Sequence, residues 1–214
     1  MYKEAPWSLK GDGYILLYKF KKSFIKNHIF SQDFLKDCHC GGLGCVMIVD
    51  YKESDVGPYR ELLFIPGKFK FNGKKLNTIS KIYVTTQESV VNGIRNWAIP
   101  KEIADCNIKQ NGNVSQVEFS KGEERILKIT FKDGKIKFPV NTKLLPFPLV
   151  QKQEDKLYYT NFYGSGKGSF ARIEQIEINE KYFPNIQYYK PIAVVKVTDF
   201  NIVFPKAEIE GMKL

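Results

Sequence analysis

The chain has 214 residues, 43% hydrophobic and 26% charged, with 16 Phe and 12 Tyr. That length and balance suit one globular domain over residues 1–214 with a sizeable core, and they exclude a mostly disordered chain. The net charge of +10 raises contact with nucleic acid or a membrane surface, but the lysines are spread along the chain and no helix-turn-helix, zinc-finger or RNP pattern accompanies them.

Met1 to Trp7 carries an acidic residue and a proline where a leader's apolar segment would lie, so a cytoplasmic location is expected. No apolar stretch reaches the roughly 18 to 20 residues of a membrane helix, so neither a membrane nor nucleic acid is an expected partner. In chain order, strands are predicted at Gly13–Phe20, Cys45–Tyr51, Tyr59–Ile65, Lys81–Val84, Val114–Ser120, Arg125–Phe131, Lys135–Val140, Leu157–Phe162, Phe170–Ile178 and Ile192–Phe204. In these runs, β-branched and aromatic residues lie between Gly, Pro and Asn punctuation. A short helix is predicted at Ser31–Asp37, just before Cys38-His39-Cys40-Gly41-Gly42-Leu43-Gly44-Cys45. This C-x-C-x4-C segment lacks the paired C-x2-C spacing of a zinc site and reads as reduced thiols in a glycine-rich loop, so no metal is expected.

The alternating run Lys68–Lys75 reads as an exposed edge or hairpin. The main helix starts at a capping box, Thr85-x-x-Glu88, carries Val90, Val91, Ile94 and Trp97 at helical spacing, and stops at Pro100. Arg125–Phe131 and Lys135–Phe138 flank Lys132-Asp133-Gly134, an Asp-Gly hairpin signal. Gly164–Ser169 is glycine-rich but lacks phosphate-loop spacing and precedes a strand rather than a helix. His28 and His39 form no recognisable hydrolase pattern with a serine or cysteine. The fold class is therefore mainly β with a few short helices (α+β), arranged as a barrel or sandwich of meanders rather than βαβ units.

The helix leads into Trp97-Ala98-Ile99-Pro100-Lys101-Glu102, a stretch that resembles the acetoacetate decarboxylase family. In that family a helix rich in Gly and Arg runs into an aromatic or small residue, a proline and the lysine that forms a Schiff base with a substrate ketone. Further stretches are similar in the same order. These are Pro6-Trp7 with Gly13-Tyr14-Ile15, Ser54 through Glu61, Phe162-Tyr163-Gly164-Ser165, and Asp199 through Glu208. The resemblance implies a closed barrel or cone around a buried pocket, assembly as a homo-oligomer, and a small keto acid or ketone as the partner molecule. It also implies imine chemistry at Lys101 without a metal or organic cofactor. Glu61 would be the retained pocket glutamate, donating or accepting protons or orienting the substrate, and Gly164 would lie at the pocket mouth. An ordinary lysine, with pKa near 10.4, is neutral in about one molecule in two thousand at neutral pH, so such chemistry needs an activated amine.

Arg60 and Arg95 are candidates for holding a substrate carboxylate, because a guanidinium fork matches its two oxygens. Tyr59 and Trp97 are candidate substrate contacts that would otherwise be core aromatics. The chain departs from the family pattern in three places. Glu102 stands where the decarboxylase has a second lysine, an arginine position falls at Asp12, and a second glutamate position falls at Val46. Glu102 beside the amine would stabilise the ammonium and modulate its reactivity. It is also the feature that favours the alternative reading, a non-catalytic small-molecule-binding protein on the same barrel.

Overall fold

The computed structural model describes residues 2–28, 35, 38–144 and 146–212. The predicted helix at Ser31–Asp37 lies outside the described residues apart from Leu35. A ten-stranded sheet dominates. Its members in chain order are β1 (Trp7–Tyr18), β3 (Gly44–Glu53), β4 (Tyr59–Ile65), β7 (Lys81–Val84), β8 (Lys101–Ile103), β9 (Asp105–Asn111), β10 (Val114–Lys121), β11 (Glu124–Asn141), β14 (Tyr163–Ile178) and β15 (Ala193–Phe204). A six-stranded sheet holds β2 (His39–Gly41), β5 (Lys68–Phe71), β6 (Lys74–Asn77), β12 (Leu149–Gln153), β13 (Lys156–Thr160) and β16 (Glu208–Gly211). The helices are α1 (Lys22–His28) and α2 (Gln87–Trp97), neither long and apolar enough to cross a membrane.

The spatial order of the large sheet is β8-β7-β4-β3-β1-β15-β14-β11-β10-β9. Its two edge strands, β8 and β9, are joined by a single residue, Ala104, which is buried and donates its amide to the Val84 carbonyl at 2.9 Å. The sheet thus curls into a nearly closed barrel with its edges meeting at that corner. One parallel step interrupts the meander: β7 and β8 are parallel, and α2 is the crossover between them.

Both faces of the sheet are buried, and period-two alternation assigns each residue to one face. On β4, Leu62 and Phe64 join a cluster with Leu16, Val46 and Phe119, whereas Tyr59, Leu63 and Ile65 join a second cluster with Trp7, Trp97 and Leu149. On β15 the alternation changes phase at Asp199 (φ 51°), where pairing with both neighbours shifts and the Asp199 amide donates to Asp12 at 3.0 Å. This bulge keeps Val195, Val197, Phe200 and Ile202 all in the second cluster.

Three sequence expectations change. The Asp-Gly hairpin is absent, because β11 continues through 132–134, with a register shift between Asp133 and Lys137, and both halves pair with β14. Asp133 is instead a buried acceptor for Tyr14 Oη at 2.8 Å and Lys196 Nζ at 2.6 Å, and a Cβ at Gly134 would lie 2.5 Å from the Phe170 carbonyl. Glycine there serves strand approach, not a turn. The tight turn with two positive φ values occurs at Asn72-Gly73, between β5 and β6, within the run predicted to be an edge or hairpin. Gly164–Ser169 is the first part of β14 rather than a loop, with Gly164, Gly166 and Gly168 each pressed against neighbouring strands.

Finally, the helix cap is Thr86, which accepts from the Ser89 amide at 3.4 Å. Thr85 follows the end of β7 and bonds to β4, its hydroxyl accepting from the Arg60 amide.

The Asp133–Lys196 pair has side chains only 10% and 13% exposed. Asp133→Leu strands a buried ammonium and is expected to cost about 3 kcal/mol in urea denaturation, most of it regained in Asp133→Leu/Lys196→Met.

Candidate active site

Trp97 ends α2 and Ala98 takes a left-handed conformation (φ 54°), returning its amide to the Gly93 and Ile94 carbonyls. Pro100 then forces extended backbone, and β8 begins at Lys101. Because β8 lies parallel to β7, with Lys101 opposite Ile82, the side chain points into the second cluster beneath the helix that precedes it.

There Lys101 is 6% exposed, and its Nζ donates to Glu61 Oε2 at 3.1 Å and to Ser89 Oγ at 3.0 Å. The ring of Tyr59 lies 5.0 Å from the ammonium. Two phenols complete the network. Tyr51 hydrogen-bonds Glu61, and burial, reinforced by the Glu61 charge, holds its pKa well above the ordinary tyrosine value. Burial does the same for Tyr59, again reinforced by Glu61 and partly opposed by a hydrogen bond from Ser89.

Glu61 reaches this cavity from two strands away. It lies opposite Val84 of β7, and β7 in turn pairs with β8. At about 4.8 Å per strand, their backbones are roughly 10 Å apart, a gap that an extended lysine and a glutamate close together.

Gly93 makes room for the lysine: a Cβ there would lie 2.6 Å from Lys101 Cδ and 2.7 Å from Cε. The face of α2 turned inward is Ser89, Asn92, Gly93 and Trp97, while Val91 is half exposed and Val90 and Ile94 are only partly buried. Of the apolar residues at helical spacing, Trp97 is buried and Val90 packs partly against the second cluster, whereas Val91 faces solvent. Ser89, Gly93 and Tyr51 were not foreseen from sequence. The available signal was the period-four row Ser89–Gly93–Trp97 running into Lys101.

The cavity measures about 290 Å³ and lies against the second cluster. Lys101, Glu61, Tyr59, Trp97 and Gly164 all line it. The other expected residues do not. Arg60 faces the opposite side of β4, where it donates to Asp50 at 3.2 Å and to the Cys106 carbonyl at 2.9 Å. Arg95 is exposed and stacks on Tyr2, 3.8 Å from the ring centre. Glu102, one residue beyond Lys101, turns to the other side of β8, bound to Lys81 Nζ at 2.5 Å and to Lys121 Nζ at 3.5 Å. Arg60 and Glu102 miss the cavity for one reason, that neighbours on a strand point to opposite faces, whereas Arg95 lies on the exposed face of α2.

The four cysteines are free thiols, and no group of three or more His, Cys, Asp or Glu among the described residues is arranged to hold a metal ion.

The barrel fold agrees with what known proteins show. The family model for acetoacetate decarboxylase (ADC) matches residues 34–176, and the chain belongs to that family. Solved structures share the fold at low identity. Acetoacetate decarboxylase from Legionella pneumophila superposes with a TM-score of 0.75 at 13% identity, covering 99% of this chain and 89% of that one. The enduracididine biosynthesis enzyme MppR complexed with pyruvate gives 0.67 at 10%, covering 98% and 91%. An acetoacetate decarboxylase-like enzyme from Sphingomonas wittichii RW1 gives 0.66 at 10%, covering 99% and 95%. No curated protein matches the chain significantly in sequence.

The raised values of Tyr51 and Tyr59 have a measurable sign. A phenol whose native pKa exceeds its unfolded one contributes stability that is complete below about pH 10 and is lost as pH rises above it. In an alkaline titration followed at 295 nm, Tyr51→Phe/Tyr59→Phe is expected to remove signal only from the late phase that accompanies unfolding, leaving the early phase of exposed tyrosines unchanged.

Proposed function

We propose that the chain is an acetoacetate decarboxylase-like enzyme that forms an imine between Lys101 and a small keto acid or ketone. One observation carries the reading: a buried lysine amine faces an otherwise apolar cavity with a carboxylate at 3.1 Å and a hydroxyl at 3.0 Å. Imine formation needs the free amine, and Glu61 is within reach to take its proton, turning an ion pair into a neutral pair inside the cavity. The amine adds to the carbonyl carbon, and protonated Glu61 returns the proton as water leaves. The resulting iminium draws electrons from an adjacent C–C or C–H bond, giving an enamine. Protonation of the enamine and readdition of one water release the product and restore the amine. Ser89 orients Nζ, and Tyr51 orients Glu61.

The non-catalytic alternative rested on Glu102, and that carboxylate belongs to Lys81 and Lys121 rather than to the cavity. Assembly as a homo-oligomer and a cytoplasmic location belong to the same proposal.

Borohydride reduction in the presence of ketones and keto acids is expected to leave an adduct on the peptide containing Lys101, detected by mass, and none on Lys101→Met. Glu61→Gln should slow trapping by about 10² to 10⁴. Gly93→Ala separates position from fold. Alanine favours the helix by up to about 1 kcal/mol, so thermal stability should hold while trapping falls at least tenfold. Adducts spread over surface lysines, with Lys101 unmodified, would overturn the proposal.

A further inference from the structure

The cavity beside Lys101 contains two charged side chains, Lys101 and Glu61, which neutralise one another. Among the described residues, no arginine or histidine and no second lysine lines it. All four arginines of the chain are engaged elsewhere: Arg60 on Asp50, Arg95 on Tyr2, Arg125 on Glu177 and Arg172 on Glu174. The walls around the amine are hydrocarbon, from residues such as Leu63, Ile82 and Ile99, and the polar side chains at Asn141, Thr142 and Ser165 carry no charge. The neighbouring phenols stay protonated, as their burial requires.

Charge conservation makes this inventory decisive. Condensation of the ammonium with a neutral carbonyl forms one C=N bond and releases one water. The positive charge passes to the iminium, and with Glu61 ionised the cavity stays at net zero. A keto acid keeps the cavity at net −1 at every step unless a further proton enters from solvent, and a buried charge without a partner is strongly disfavoured. At about 290 Å³, the cavity is far larger than a single water needs and has room for an organic molecule.

We propose that the substrate is an uncharged, apolar ketone or aldehyde with an aliphatic or aromatic tail, not a free keto acid. The proposal rests on Lys101 being the reactive amine. Without a carboxylate there is no carbon dioxide to lose, and the bond that breaks is a C–H next to the iminium. Its electron pair forms the enamine, its proton passes to Glu61, return of a proton to the same carbon restores the iminium, and readdition of the one water released frees the ketone and the amine without an oxidant or further co-reactant.

The test compares 2-octanone, methyl 2-oxooctanoate and 2-oxooctanoate on the full chain. Cyanoborohydride trapping at Lys101 is measured by peptide mass, and each rate is divided by that for Nα-acetyllysine to remove intrinsic electrophilicity. The two neutral compounds are expected to label Lys101 at least about 100-fold faster than the acid, equivalent to about two decades of charge discrimination. In D₂O, 2-octanone should exchange its α-hydrogens with wild type and not with Lys101→Met. Glu61→Gln lowers all rates but, by removing the resident negative charge, should move the ratio at least tenfold toward the acid.

Equal or faster labelling by 2-oxooctanoate overturns the substrate class and leaves the Lys101 imine standing. If no compound labels Lys101, the imine reading falls, and calorimetry on Lys101→Met judges the cavity separately. Binding of 2-octanone but not of 2-oxooctanoate then upholds the apolar ligand class, and failure of 2-octanone to bind overturns it.

Discussion

The Lys101–Glu61 ion pair is the constraint around which this molecule is arranged. Two opposite charges removed from water lose several kcal/mol of hydration each, and only close geometry with further hydrogen bonds offsets that loss. The structure supplies both, with Ser89 on the amine and Tyr51 on the carboxylate. The requirement extends outward. Glu61 needs β4 in register with β7, Lys101 needs β8 in register with β7, and Ser89 needs α2 laid across them as the crossover. Gly93 is part of the same constraint, because any larger side chain would occupy the space through which the lysine reaches its partners.

A sheet buried on both faces converts sequence parity into chemistry. Glu61 and Arg60 are neighbours, yet one enters the cavity and the other holds Asp50 on the far side. Lys101 and Glu102 divide in the same way. A slip of one residue in either strand would exchange them, bringing Arg60 and Glu102 to the cavity and sending the reactive pair away. The dense hydrocarbon on both faces resists such a slip, since Leu62 and Phe64 would trade places with Tyr59, Leu63 and Ile65. Bulges act at a finer level, as at Asp199, where one extra residue restores the apolar phase of β15.

Membership of the acetoacetate decarboxylase family and the shared fold leave the charge inventory of the cavity to this chain alone. At 10 to 14% identity, the solved relatives share the path of the backbone. The chemistry available here follows from which side chains face the cavity: among the described residues, one amine, one carboxylate, neutral phenols, the uncharged Asn141, Thr142 and Ser165, and hydrocarbon. Four arginines in a chain of net charge +10 contribute nothing to it, because each is bound on another surface.

Much of this was legible in the amino-acid order. The β-rich class, most strands of the large sheet and the helix stopping at Pro100 follow from local patterns of hydrophobicity, glycine and proline, whereas Lys101 was singled out by the family resemblance. Local signals misled where a long-range partner outweighed them. Asp133-Gly134 reads as a turn, but Tyr14, Lys196 and the Phe170 backbone hold it inside a continuous strand. The edge strand β9 alternates only over Cys106 and Ile108, too short an apolar signal to reveal it, and is held by backbone pairing to β10. The site was half visible for the same reason. Residue types can nominate Lys101, Glu61, Arg60, Arg95 and Glu102, but whether two of them meet depends on strand register and on the direction each side chain takes from the sheet. Those are set by contacts between segments tens of residues apart, so only the tertiary structure decided that Lys101 meets Glu61, and that the arginines and Glu102 stay outside.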